Sequence, residues 1–319
     1  MPLTDITDAH QWGLERIVGE LREARHRWRE SCARNHECGG RELPAPEPVR
    51  DIIAKLRGAL FPMRLGPPDL RQESEDFYVA HTLDTALYSL RQQVKLELGY
   101  TAQQTEQATD DRALEAIADS IVRDFAQTLP AARRLLDTDM RAAYNGDPSA
   151  RSVDEILLCY PGARAIIHHR LAHALYRLGA QMIARIIAEL AHSETGIDIH
   201  PGAQIGSGFF IDHGTGVVIG ETTVIGDRVR LYQAVTLGAK HFSVGEDGVL
   251  EKGQPRHPVI EDDVVIYAGA TVLGRITIGR GSSIGGNVWL TRSVPPGSLV
   301  TQAGVRQEAV APEQPRHIP

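Results

Sequence analysis

Between residues 197 and 296 aliphatic residues recur at every sixth position, a period that neither an α-helix (near 3.6) nor an ordinary strand (2) produces. Ile199, Ile205 and Ile211 open the series. Ile219, Ile225, Leu231 and Leu237 continue it two residues out of step, and Ile260, Ile266, Val272, Ile278, Ile284 and Leu290 complete it. Such a period requires short flat sides that each end in a corner. Three sides make one coil of a parallel β-helix, with each repeated aliphatic pointing inward onto its counterpart in the next coil. Gly206, Gly220, Gly226, Gly279 and Gly285 follow the aliphatics, where the chain has to bend tightly.

The pattern begins near residue 195, and upstream of it the periodicity is helical. The 319 residues are therefore expected to divide into a helical domain (1–195), a β-helix (196–296) and a loosely attached tail (297–319), an α+β chain with its helices first. A net charge of -7 and a pI near 6.0 argue against a nucleic-acid or anionic-membrane partner, which requires a concentrated basic face. No apolar run approaches the roughly 20 residues of a membrane span, and residues 1–10 lack the basic-then-apolar plan of a signal peptide. A cytoplasmic protein is expected. Cys32, Cys38 and Cys159 form no CxxC pair and are odd in number, a poor disulfide framework. Cys32 and Cys38 flank His36, but two thiols and one imidazole at that spacing are expected to be solvated or half-buried rather than metal-bound.

Trp12, Leu14, Ile17, Val18 and Leu21 predict an amphipathic helix over 8–34, followed by a loop rich in Gly and Pro (35–48). Helices are predicted over 49–60 and 73–98, the second with Phe77, Ala80, Leu83, Ala86, Leu87, Leu90 and Val94 in one stripe. Two further units are predicted over 113–125 and 130–144. Asn145, Gly146, Asp147 and Pro148 make a turn, and helices resume over 152–157 and 163–190 with an interruption at Gly179. His168, His169 and His173 lie on the last of these. Only His169 and His173 share a face, and no acidic or third partner has matching spacing, so a structural or solvated role is expected.

The solenoid has two irregularities. One is the phase slip at Asp212-His213-Gly214-Thr215-Gly216; the other is a long excursion between Leu237 and Ile260 that ends in Pro255-Arg256-His257-Pro258. Repeat proteins carry insertions on one face, often the binding face. Near the irregularities sit Asp198, His200, Asp212, His213, Lys240, Arg256 and His257. No cysteine follows Cys159, so a thiol-based intermediate on the solenoid is excluded and acid/base chemistry remains. Asp198 precedes His213 by one coil less three residues, near enough in the stack to orient an imidazole acting as base toward an alcohol. Asp212 and Arg256 suit the ammonium and carboxylate of an amino acid. On spacing alone, Asp212 and His213 could equally do no more than cap the phase slip.

The run Asp198-Ile199-His200-Pro201, then Ile205-Gly206, Gly208, Asp212-His213-Gly214-Thr215-Gly216, Gly220-Glu221-Thr222 and Gln233-Ala234-Val235-Thr236-Leu237-Gly238 resembles the serine O-acetyltransferases. The resemblance covers residues 198–296 and reaches upstream to Asp147-Pro148. It implies a left-handed β-helix of hexapeptide repeats that assembles as a trimer or a dimer of trimers. It implies His213 as general base with Asp198 as dyad partner, and Asp147 and Asp212 on the amino group of L-serine. Arg256 would take the serine carboxylate, and His257 would stand near the hydroxyl. Acetyl-CoA is implied as co-substrate, with its pantetheine near Gly238, Ala239, Ala268 and Gly269, and transfer is direct, with no metal. L-cysteine is implied as feedback inhibitor. Relatives that dock into cysteine synthase end in isoleucine, whereas here Pro319 follows Ile318, which disfavours that docking. The alternatives are a hexapeptide transferase acting on homoserine or a sugar, a zinc hydratase using His200, His213 or His257, and a non-catalytic scaffold.

Overall fold

The computed structural model describes residues 12–31, 43–104, 110–241, 245, 248, 250–251 and 253–302. Cys32, His36, Cys38, residues 242–244, 246–247, 249 and 252 of the excursion after Ala239, and Ile318-Pro319 lie outside them. Two compact units are present, residues 1–42 and residues 43–319. In the first, α1 (Leu14–Ser31) is an amphipathic helix with Trp12, Leu14, Ile17, Val18, Leu21 and Trp28 exposed.

The second unit contains both the remaining helices and the solenoid, so compactness does not divide the chain at residue 195. Its helices are α2 (Pro46–Leu60), α3 (Pro62–Leu65), α4 (Glu75–Gln104), α5 (Asp111–Gly146), α6 (Val153–Cys159), α7 (Pro161–Arg177) and α8 (Gln181–Thr195). Local chemistry sets their ends. Asp110 accepts from the Arg112 N–H to start α5, Ser152 accepts from the Glu155 N–H to start α6, and Gly196, at φ 68°, stops α8. The start of α8 is capped from another helix, because the buried Glu97 carboxylate accepts the N–H groups of Met182 and Ile183 at 2.7 and 3.0 Å. The two helical units predicted on either side of Pro130 are one helix, α5. A proline leaves one backbone bond unmade, but Phe125, Leu129, Ala132, Leu136 and Met140 bury a stripe that runs straight across it, and that burial carries the helix through. Of the stripe predicted on α4, Ala86, Leu90 and Val94 are buried and Phe77 is exposed.

The solenoid is a three-sided parallel β-helix. Its sides are the stacks β1-β4-β7-β10-β13, β2-β5-β8-β11 and β3-β6-β9-β12-β14. These run from β1 (Asp198–Ile199), β2 (Gln204–Ile205) and β3 (Phe210–Ile211) through β4 (Val218–Ile219), β5 (Val224–Ile225), β6 (Arg230–Leu231) and β7 (Thr236–Gly238). They continue through β8 (Val259–Ile260), β9 (Val265–Ile266), β10 (Thr271–Leu273), β11 (Thr277–Ile278), β12 (Ser283–Ile284) and β13 (Trp289–Leu290) to β14 (Leu299–Val300). The sixfold aliphatics pair with one another, as in Ile199 with Ile219 and Ile219 with Leu237, and all are buried except Ile205 and Leu290, which are half-buried. The segment after Pro296, expected to be loosely attached, supplies β14, which pairs with β12.

One buried ion pair joins the helices to the first coil. Arg170 of α7 donates to both carboxylate oxygens of Asp139 of α5, and to the Ile205 and Gly206 carbonyls at the corner between β2 and β3. Asp139 also accepts the Phe209 N–H at 2.9 Å. The histidines of α7 are structural, as expected. His168 bonds the Arg164 carbonyl at 2.8 Å and His173 the Pro201 carbonyl at 2.8 Å. Burial lowers His168 to about 4 and His169 well below 6.5.

Two outcomes follow. Asp139→Ala leaves Arg170 charged, buried and unpaired, and should lower unfolding stability by about 3–5 kcal/mol. In urea titrations the double variant Asp139→Ala/Arg170→Ala should lose less than the sum of the two single variants. Because His168 and His169 titrate lower in the folded than in the unfolded chain, the unfolded chain takes up protons first between about pH 6.5 and 4. The melting temperature should fall through that window, and less steeply in His168→Leu.

Candidate active site

The turn from β3 to β4 departs from the regular coil. Residues 232–235 and 267–270 make the equivalent turns in later coils, whereas here the chain uses residues 212–217, two more. Left-handed backbone at His213 (φ 59°), Gly214 (φ 91°) and Gly216 (φ 79°) takes up the extra pair. A Cβ on Gly214 would lie 2.5 Å from Ile197 Cδ1 and 2.9 Å from Ile211 Cγ2, so only glycine fits. With Gly214 turned in, His213 is turned out, its side chain 73% exposed.

Two carboxylates stand at this corner. Asp212 is buried; its Oδ2 accepts from Arg230 Nη2 at 2.5 Å, and its Oδ1 lies 4.0 Å from His213 Nε2. Asp147, which caps the C-terminus of α5, accepts from Ser149 Oγ at 2.7 Å, from the Ser149 N–H at 2.8 Å and from Tyr160 Oη at 2.5 Å. Those hydrogen bonds, with the charge of Arg230 adding to them, lower Asp147 to about 2 and keep it ionised. The expected contact between Asp198 and His213 is not made in this conformation. The six-residue turn carries the imidazole outward, while Asp198 pairs with Val218 along β1 and β4 and its charge acts on His200.

The remaining predicted groups lie at the opposite edge of the β1-β4-β7 side. Arg256 and His257 end the excursion between β7 and β8, against residues 220–223. Thr222 organises them. Its Oγ1 accepts the N–H groups of Arg256 and His257 at 2.9 and 3.1 Å, and its own N–H donates to His257 Nδ1 at 3.1 Å. A ring nitrogen that accepts a backbone N–H carries no proton, so neutral His257 holds its proton on Nε2 and acts there as a donor. Burial, with the charge of Arg256 adding to it, lowers His257 to about 4. Gly220 leaves room for this ring, since a Cβ there would lie 2.0 Å from His257 Cδ2. Arg256 Nη2 donates to Glu221 Oε2 at 2.6 Å, and Tyr176 Oη to Glu221 Oε1 at 2.9 Å. Burial pushes Glu221 up, but these bonds prevail and hold it below the usual carboxylate range. Arg275 ties the corner to the next coil, donating to the carbonyls of Thr222 and His257 at 2.7 and 3.1 Å.

The positions expected to border a thioester co-substrate divide in the same way. Gly238 and Ala239 lie at the Arg256 edge, Ala268 and Gly269 at the His213 edge. Gly269 has φ 72°, and a Cβ there would lie 2.2 Å from Asn287 Oδ1. Lys240, His241, Arg256 and Arg275, with Glu251 as the one acid among the described residues, line a cavity of about 260 Å³ beside Gly274. Among the described residues no group of three or more His, Cys, Asp or Glu is arranged to hold a metal, and His213 lies at a different corner from His200 and His257. Glu221 and Thr222 fell inside a recognisable motif but carried no assigned role. Tyr160, Tyr176, Arg230 and Arg275 gave no signal, because they meet their partners only across coils, between helix and coil or, for Tyr160, between the ends of α5 and α6.

Residues 257–292 match the bacterial transferase hexapeptide (six repeats) family. The chain is 55% identical over 312 residues to the plasmid serine acetyltransferase of Synechococcus elongatus, covering 96% of each. It is similar to Entamoeba histolytica serine acetyltransferase 1 in complex with L-cysteine, with TM-score 0.68, 40% identity, and 79% of this chain and 86% of that one covered. Soybean serine acetyltransferase complexed with serine gives TM-score 0.50 and 31% identity, with 80% of this chain and 96% of that one covered. Near-complete alignment to the Synechococcus protein at 55% identity means that this chain, a helical region followed by a left-handed parallel β-helix, belongs to the serine acetyltransferase family of hexapeptide-repeat acyltransferases.

Proposed function

We propose that the protein transfers acetyl from acetyl-CoA to the hydroxyl of L-serine, giving O-acetyl-L-serine and CoA, as the first step of cysteine biosynthesis in the cytoplasm. The observation that carries this proposal is the six-residue turn, which projects an exposed histidine beside Asp212, at a corner where the charge of Arg230 also reaches Asp147. His213 takes the hydroxyl proton as the serine oxygen attacks the thioester carbonyl; the C–S bond then breaks and the leaving sulfur receives that proton. Asp198 is the orienting acid, engaged once the bound acceptor seats the ring, since catalytic hydrogen bonds are often long in a free enzyme. Asp147 and Asp212 take the ammonium and Arg256 the carboxylate. His257, neutral and protonated on Nε2, donates to the oxygen on which charge develops.

The cationic cavity lined by Lys240, Arg256 and Arg275 suits the phosphates of acetyl-CoA, whose pantetheine would pass Gly238, Ala239, Ala268 and Gly269. The solved relatives bound to L-cysteine and to serine support L-cysteine as a feedback inhibitor that shares the same ammonium and carboxylate partners.

Within one chain the His213 and Arg256 groups flank opposite edges of a sheet side, so a complete site requires two copies meeting edge to edge. Repeating that contact around an axis closes a homotrimer, and pairing of trimers would give a hexamer.

Three measurements test the proposal. Thiol release from acetyl-CoA should occur with L-serine in preference to homoserine or sugars, and His213→Ala should lower kcat by about 10²- to 10⁴-fold. Release with a sugar instead, or full activity after that substitution, would overturn it. Co-expressed His213→Ala and Arg256→Ala chains, each inactive alone, should regain activity as mixed oligomers. Because His257 stays neutral down to about pH 4, the acid limb of kcat/KM should keep its midpoint in His257→Asn.

A further inference from the structure

The two carboxylates assigned to the ammonium already share a cation. Arg230, the first residue of β6, donates through Nη2 to Asp212 Oδ2 at 2.5 Å. Its guanidinium is wedged between two rings, 5.0 Å from the Phe210 centroid and 4.7 Å from that of Tyr232. Tyr232 is itself stacked on Tyr267, with centroids 5.1 Å apart. From the other side the end of α5 closes in, where a Cβ on Gly146 would lie 3.6 Å from Arg230 Nη1. Arg230 Nε is buried without a partner, so ring packing and one carboxylate oxygen hold the group in place.

Resting on the functional proposal above, we infer that Arg230 is a positioning residue that sets the affinity of the site for the amino end of its ligands. It occupies Asp212 Oδ2, leaves Oδ1 on the His213 side for the ammonium, and opposes the incoming positive charge. Asp147 and Asp212 together carry two negative charges; Arg230 supplies one positive charge and the ligand ammonium the other. Without Arg230 the pair would hold an ammonium with one negative charge in excess. Asp212 does not depend on Arg230 for its place, because its N–H is bonded to the Leu231 carbonyl at 2.8 Å and its side chain is only 10% exposed. Removing the guanidinium charge should therefore tighten ammonium binding, the opposite sign to ordinary damage at a site. Two unit charges roughly 6 Å apart repel by enough to change affinity about threefold in water and about a hundredfold at the lower dielectric of a protein surface.

The test uses full-length Arg230→Met, which keeps an apolar stem between the rings, together with Arg230→Gln and the charge-preserving Arg230→Lys. KM for L-serine and the inhibition constant of L-cysteine should both fall about three- to a hundredfold in the Met and Gln variants, with kcat moving less than KM. Arg230→Lys should return both constants toward wild type. In an Asp212→Asn background the same removal of charge should give a smaller fall. Unchanged or raised constants in folded Met and Gln variants, or a lysine variant that behaves like methionine, would overturn the inference. Failure of the functional proposal is a separate result, since the wild-type protein would then transfer no acetyl group to serine.

Discussion

Closure of each coil depends on burying one aliphatic side chain per side. A two-residue strand turns one side chain inward and one outward, so Ile199, Ile219, Leu237 and Val272 stack inside their sheet, joined by the buried Ile197, Val217, Val235 and Ala270 two positions before them. Backbone bonds of the strands then run between coils, as from the Asp198 N–H to the Val217 carbonyl at 2.9 Å, while bonds within a coil close its corners. A coil is stable only on a neighbour. The first coil faces helices on its outer side, and the buried pair of Asp139 and Arg170 binds its corner to α5 and α7.

That construction explains where chemistry can be placed. The sides are committed to stacking, so functional groups gather at corners, where turn length is free to vary. One corner gains two residues and presents His213. Another gains the long excursion and presents Arg256 and His257, with Thr222 and Arg275 fixing the histidine through its backbone and its Nδ1. The helical region contributes at the first corner, since Asp147 is the cap of α5 and is held by Tyr160 at the end of α6. Folding of the helices and completion of the site are therefore linked at one residue.

Most of the fold was legible in the chain itself. The six-residue period identifies the inner face of the coils, and the breaks in that period mark the two corners that hold the candidate site residues. The continuity of α5 was hidden, because Pro130 is a strong local signal against a helix and the stripe that overrides it is evident only when its partners are known. The order beyond Pro296 was hidden for a related reason: β14 is held by pairing with β12 rather than by any pattern of its own.

Sequence alone determined the scaffold, the candidate base and the groups suited to an amino acid, because periodicity and motif order are properties of neighbours along the chain. Only the tertiary structure decided that His213 faces solvent at one corner while Arg256 and His257 occupy another. It also decided that Arg230 sits on the acid expected to meet the ammonium, and that the proton of His257 is on Nε2. These depend on contacts between coils eighteen or more residues apart, such as Arg230 with Asp212 and Thr222 with His257, and those contacts exist only once the coils have stacked.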